Sequence, residues 1–373
     1  MAKYRAGVIG LGWMGLLYDL AERIPDLFDV DDVDRPTPEL NVHRRFYHHD
    51  HPGTEGNPTT YAEALHSRPE VELAAAADRD PKRLAAFTER YGIRATYTDA
   101  EAMLRAERPD IVAVATNTKG RADLTCLAVA HGARGIVTDK PMCHTLEEAD
   151  RMVSTCAEAG VPLSCGAITT THPSFGKARE LVQSGAIGKI RSIEADSPFA
   201  QHQNWSYFLD SPPAWVSGIG DLPRRGAGTD EFDGPGGSDE FRGQGIMVTA
   251  DRTVVHFRAG APGVRLEGST GEIRFEGARR WRLRQQLETT GNVRVEMPWP
   301  EPQFVYPYGA VYSLNDVIDC MEGRLDEPKN SGRRIAVALE VEIALKLSSA
   351  RGGERVAHPL EDRSLGLNYD WFR

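Results

Sequence analysis

Two groups of residues in this chain have the types and spacing for chemistry, and they lie far apart in sequence. The first is Gly10-Leu11-Gly12-Trp13-Met14-Gly15. Glycines at this spacing, after a strand and at the start of a helix, allow a tight turn and let the backbone approach a pyrophosphate. The helix N-terminus adds free N–H groups and a partial positive charge. The second group is Val137-Thr138-Asp139-Lys140-Pro141. Its lysine–proline step follows a short apolar run and marks where a substrate could meet the nucleotide. Taken singly, a glycine cluster in a chain with 36 glycines is weak, and an isolated lysine is ordinarily a solvated surface group. Their weight comes from the elements around them.

Those elements alternate. Short apolar runs at Arg5–Ile9, Val71–Ala77, Ile111–Ala115 and Gly135–Thr138 are bounded by polar or turn residues, as strands buried on both faces of a parallel sheet are. Helical patterns separate them. Pro81–Tyr91 has proline in its first turn and stops at Gly92; Asp99–Arg108 and Arg121–His131 follow; Thr145-Leu146-Glu147-Glu148 reads as a capping box for a helix to Ala159. A strand at Leu163–Cys165 completes the series. The expectation is a Rossmann-type, doubly wound α/β domain over residues 1–142. The ribose-binding acid of such a domain ends its second strand. Asp34 has the usual spacing but lies in no strand, so Asp78 takes the role, delayed by an insertion at about residues 21–58. Thr60-Tyr61-Ala62-Glu63 caps the helix that resumes after it. An acid at Asp78 favours NAD; Arg79 beside it leaves NADP open. Thr116 and Asn117 end a strand at the edge where nucleotides bind.

Residues 143–373 read differently. A helix at Ser174–Ser184 precedes a strand at Ile187–Asp196. From Gly243 to Glu296 most of the pattern is strand, including Gly245–Ala250, Thr253–Arg258, Val264–Gly268 and Glu272–Phe275, and helices follow at Val311–Met321 and Arg333–Ala350. Grouped strands with helices at the ends indicate an α+β domain with a mostly antiparallel sheet. Ser217–Arg242 reads as a long loop, in which Asp221, Asp230, Glu231, Asp233, Asp239 and Glu240 are solvated charges by composition. A net charge of −10 argues against a nucleic-acid partner. Five scattered cysteines, Cys126, Cys143, Cys156, Cys165 and Cys320, with no Cys-x-x-Cys pair, read as reduced thiols in a cytoplasmic protein. No secretory leader and no apolar run of about 20 residues is visible, so no membrane association is expected. His43, His48, His49 and His51 lack cysteines or flanking acids and read as an exposed polar loop, not a metal site.

In order, Gly7 to Gly15, Ala77-Asp78-Arg79-Asp80-Pro81, Ala113 to Thr118, Asp139-Lys140-Pro141-Met142 and Ser184 to Gly188 resemble the Gfo/Idh/MocA family of oxidoreductases. The resemblance covers residues 5–196 and continues weakly in Gly268 to Ile273. It implies a Rossmann domain followed by an α/β domain whose open sheet makes a homodimer or homotetramer. It implies NAD or NADP as cofactor and a sugar, cyclitol or related polyol as substrate. Lys140 matches the family's lysine between nicotinamide and substrate, where an ammonium would hydrogen-bond the reacting oxygen and tune proton transfer. The cofactor set is then Gly10, Gly12, Trp13, Met14 and Gly15 from the loop, Asp78 and Arg79, Thr116 and Asn117, and Asp139 with Lys140.

Three departures stand out. Asp139 replaces the usual glutamate and Asn117 a common proline. The family's Asp-x-Gly-x-His-x-x-Asp stretch is absent after residue 196, where Ser197 to Tyr207 runs instead. His202 is the nearest substitute for the missing catalytic histidine, equally readable as a structural residue. His172, Asn204 and Tyr207 are the candidate substrate contacts; for His172 the ordinary reading is a helix-start histidine, and for the Trp205–Phe208 aromatics it is buried packing. Two other functions are compatible with these residues: redox-neutral cleavage of a glycoside with NAD recycled in place, and a cofactor-bound sensor that has lost the chemistry.

Overall fold

The structure is a computed structural model and describes residues 3–19, 58, 60–165, 170–195, 200, 203–220, 241–258, 263–276, 281–300 and 310–368. It divides into two compact units. The first comprises residues 1–143, 150–172 and 304–332; the second comprises 144–149, 173–303 and 333–373.

The first unit is built on a six-stranded sheet of order β3-β2-β1-β4-β5-β6, with β1 Tyr4–Ile9, β2 Val71–Ala77, β3 Thr96–Tyr97, β4 Ile111–Val114, β5 Gly135–Thr138 and β6 Leu163–Cys165. Every pairing is parallel. The short, wholly apolar sequences follow from this: each residue of β4 and β5 is buried, as strands covered on both faces require. Side-chain caps set the helix starts. Thr60 accepts the N–H of Glu63 at 3.1 Å, Asp80 that of Lys82 at 2.8 Å, and Asp99 that of Ala102 at 2.8 Å. Gly92 ends the helix Pro81–Tyr91 in the left-handed conformation, with φ 72°.

The core of this unit draws on the chain's far end. Ala310, Leu314, Val317 and Ile318 of the helix Ala310–Met321 pack with Tyr4, Val8, Leu16, Tyr61 and Val137. Gly135 admits that helix to β5: a Cβ there would lie 2.5 Å from Val317 Cγ1. The sequence expectation places one boundary at 142/143; along the chain the compact units alternate, the helix Ala310–Met321 falling in the first.

The second unit carries a nine-stranded sheet of order β14-β13-β12-β11-β7-β10-β9-β8-β15. Its strands are β7 Ile190–Ala195, β8 Pro213–Gly220, β9 Gly243–Thr249, β10 Val254–Phe257, β11 Val264–Gly268, β12 Gly271–Phe275, β13 Trp281–Gln286, β14 Arg294–Met297 and β15 Val356–Ala357. The pairing of β7 with β10 is parallel and the others are antiparallel. Ser217–Gly220, expected in a loop, extends β8 against β9. Glycines at 218 and 220 hid that strand, yet Gly218 N–H and Gly220 N–H are held by Ser348 and Ser349 of the helix Gly332–Ala350. Among the described residues no helix is long and apolar enough to cross a membrane.

Candidate active site

The glycine loop leaves β1 at the C-terminal edge of the parallel sheet. Gly10 has φ +90°, and a Cβ there would lie within 2.9 Å of Thr116 Cγ2 and the Ala115 carbonyl. A Cβ on Gly15 would run into the carbonyl of Gly10. These two positions therefore need glycine so that the loop, the helix and the end of β4 can close on one another. Among the described residues, a Cβ on Gly12 would have only the Ala115 carbonyl near it, at 3.9 Å. The first turn, Trp13–Leu17, is a π-helical turn in which Gly12 O receives the N–H groups of Leu16 and Leu17 at 2.9 and 3.1 Å. It continues to Asp19, which is fully buried and bonded by Arg90 and Tyr91, each at 2.8 Å. A glycine loop at a helix start suits a pyrophosphate.

Asp78 follows β2 directly, next to this loop. Its Oδ2 accepts Leu11 N–H at 2.6 Å and its Oδ1 accepts Asp80 N–H at 2.8 Å. Arg83 lies 3.9 Å from Oδ2. An ionised carboxylate has about four acceptor directions, so two remain for hydroxyl groups of a ligand. Arg79 and Asn117 are exposed, and Thr116 Oγ1 donates to Asn117 O at 2.9 Å.

The segments after β4 and β5 are joined by a residue that the sequence reading took only as a helix start. Arg121, 1% exposed, donates from Nη1 to Asp139 O at 2.7 Å and to Pro141 O, and from Nη2 to Thr116 O. A signal was present: a cation in the first turn of the otherwise mostly apolar helix Arg121–Ala130 opposes the helix dipole. Asp139 is buried; burial pushes its carboxyl above the ordinary value, against the pull of Arg121 and Lys140. Its Oδ1 accepts the backbone N–H of Lys140 at 2.8 Å. Lys140 itself is half-buried, and its peptide bond to Pro141 is cis.

The candidate substrate residues divide between the units. In the first, His172 is 1% exposed with its ring edge-on to Tyr312, centroids 5.3 Å apart. In the second, Asn204 is buried and its Oδ1 has no hydrogen-bond partner among the described residues. Tyr207 is buried, with the guanidinium groups of Arg179 and Arg334 at 5.9 and 5.2 Å from its ring centre. Trp205 packs edge-on against Phe257, and Phe208 joins Phe175 and Trp281, which is core packing. His202, the four histidines at 43, 48, 49 and 51, and the acids at 221–240 lie outside the described residues.

Residues 53–167 match the model of the oxidoreductase family with an NAD-binding Rossmann fold. A D-apiose dehydrogenase of Paraburkholderia graminis is 38% identical over 118 residues, 32% of this chain and 31% of that protein. A myo-inositol 2-dehydrogenase of Thermotoga maritima is 29% identical over 139 residues, 37% of this chain and 41% of its own. The chain thus matches about a third of the length of such relatives. The crystal structure of an oxidoreductase domain protein from Kribbella flavida shares the fold, with TM-score 0.64 at 19% identity over 96% of this chain and all of that one. Residues 53–167, which hold Asp78, Thr116, Arg121 and Lys140, are thus the part of this chain that is similar to the oxidoreductase family with an NAD-binding Rossmann fold.

Proposed function

We propose that the protein is an NAD(P)-dependent dehydrogenase or reductase acting on a hydroxyl or keto carbon of a sugar, cyclitol or related polyol. The observation that carries this reading is the shared edge of the parallel sheet: the glycine loop, Asp78, Thr116 and the Asp139–Lys140 step all follow strands at that edge. Nicotinamide, when bound, supplies the two-electron acceptor or donor. The chain's own residues do the rest. The loop N–H groups hold the pyrophosphate. The two unused acceptor directions of Asp78 take the ribose hydroxyls, and its charge disfavours a 2′-phosphate. Lys140 donates a hydrogen bond to the substrate oxygen, stabilises it as an alkoxide and takes up or returns its proton. His202, Asn204, His172 and Tyr207 are the proposed substrate-side residues, with His202 a second proton carrier. The names of the relatives, an apiose and an inositol dehydrogenase, support the substrate class.

A homodimer or homotetramer through the nine-stranded sheet belongs to the same proposal, as does a cytoplasmic location. Sedimentation velocity tests the assembly.

The decisive experiment is native mass spectrometry of the purified protein, followed by a polyol panel read at 340 nm with NAD and NADP. Turnover with a polyol supports the proposal. Tightly held NAD(H) with a consumed glycoside and no net reduction would replace it with redox-neutral cleavage. Nucleotide binding without turnover on either panel would make the protein a sensor, and no nucleotide binding would sink the reading altogether.

A further inference from the structure

We infer that Arg121 is a positioning residue for Lys140, fixing the two strand-end segments between which the nicotinamide and substrate would meet. The inference rests on the proposed role of Lys140 and deepens it.

The geometry is that of a fork closed on three carbonyls. Nη1 reaches Asp139 O at 2.7 Å and Pro141 O, the carbonyls on either side of Lys140. Nη2 reaches Thr116 O on the segment after the neighbouring strand. One rigid, planar group therefore sets the spacing of the β4 and β5 exits and the path of the backbone that carries Lys140. Lysine has three donors on one rotating nitrogen and cannot span the same set in a fixed plane.

Stability alone is a poor account of this arginine. It is 1% exposed, and its Nε has no hydrogen-bond partner among the described residues. It sits in the first turn of a helix, where the dipole disfavours a cation. A buried cation costs more than an apolar side chain of similar volume would in the same place. Orientation is what the guanidinium adds. Charge enters as well: the buried carboxylate of Asp139 lies in the field of both Arg121 and Lys140 and accepts the Lys140 N–H. Arg121 thus fixes both where Lys140 starts from and the charges around it.

The test compares wild type with Arg121→Lys and Arg121→Met. Three quantities are read: the NAD dissociation constant, kcat and KM on a polyol substrate, and the pH dependence of Lys140 acetylation by acetic anhydride, followed by peptide mass spectrometry. The expected result is a cooperatively melting Arg121→Lys protein that binds NAD within about threefold of wild type. Its kcat falls on the order of tenfold to a hundredfold, as a displaced reacting group would cause, while KM moves less. The midpoint of its Lys140 acetylation curve also shifts. An unchanged acetylation curve and unchanged kcat in a folded variant overturn the inference. So does failure of both variants to fold, which would assign the guanidinium to folding. If wild type turns over no polyol, the proposed function fails, and the acetylation curve alone still decides the place of Arg121.

Discussion

The carboxylate of Asp78 accepts the backbone N–H of Leu11 at 2.6 Å, so the acid that follows the second strand is fastened to the middle of the glycine loop. In the proposed function, cofactor grip and loop shape both depend on this one side chain. A hydrogen bond to a charged group contributes about 1.5–3 kcal/mol. Asp78→Ala is accordingly expected to weaken NAD binding on the order of tenfold to a hundredfold. It should also narrow the preference over NADP, because the charge that opposes a 2′-phosphate is gone. Calorimetric titration with both nucleotides checks this, and an alanine variant that binds NAD as tightly as wild type contradicts the assignment.

Lys140→Met keeps the length of the side chain and removes its proton. General acid–base groups contribute on the order of 10²–10⁴-fold. A fall in kcat of that size is expected, with NAD affinity within a few-fold of wild type. Stopped-flow measurement of a single turnover separates the two, and loss of nucleotide binding in parallel with kcat would count against a role in proton transfer.

Gly15→Ala places a methyl group against the carbonyl of Gly10, a backbone atom that cannot rotate away. Overpacking of this kind costs about 1–3 kcal/mol. The variant should melt at a lower temperature and bind nucleotide more weakly, whereas Gly92→Ala, with no described residue near its Cβ but a φ of 72°, should lose stability without a comparable loss of nucleotide affinity.

Glu340 gives the second unit an acid limit. Burial works to raise its carboxyl, but the His358 ring 3.5 Å away and hydrogen bonds from Arg363 and from the N–H of Leu360 outweigh it and hold the pKa down to about 2, from 4.5. Because the folded value is the lower one, its contribution is fully present above 4.5 and is lost as the pH falls toward 2. Glu340→Gln should reduce the urea midpoint at pH 6, and the gap to wild type should close between pH 4.5 and 2. A gap independent of pH would remove Glu340 from the account.

Leu314 is buried in the core of the first unit although it lies far beyond the last strand of that unit in sequence. Leu314→Ala should cost about 2–5 kcal/mol, read as a shift of the denaturant midpoint. A cost near zero would show that the helix Ala310–Met321 is not part of that core.

Much of this was legible in the sequence because the parallel sheet leaves a strong local imprint. Ile111–Val114 and Gly135–Thr138 are apolar throughout, and Pro81 and Gly92 bracket a helix that the structure reproduces at both ends. Asp78 is preferred to Asp34 because it alone follows a strand pattern, and in the structure it does follow β2. What stayed hidden depends on contacts across long sequence distances. Val317 joins the first unit because Gly135, about 180 residues earlier, has no side chain. Gly218 and Gly220 read as loop because a strand with no side chain at two positions leaves no apolar pattern, although Ser348 and Ser349 hold their N–H groups and Leu345 and Phe241 pack close to them. Arg121 could not be assigned to its three carbonyls from spacing alone, since main-chain acceptors leave no mark on residue type.

The late return of Ala310–Met321 also bears on synthesis. At about 5–20 residues per second, the strands up to Cys165 leave the ribosome on the order of ten seconds before the helix that covers them. During that interval Val8, Leu16, Tyr61 and Val137 lack their final apolar neighbours. The first unit therefore cannot reach its packed form before residues 310–321 have been made. A nascent chain halted before residue 310 would expose a sticky flank to chaperones and proteases.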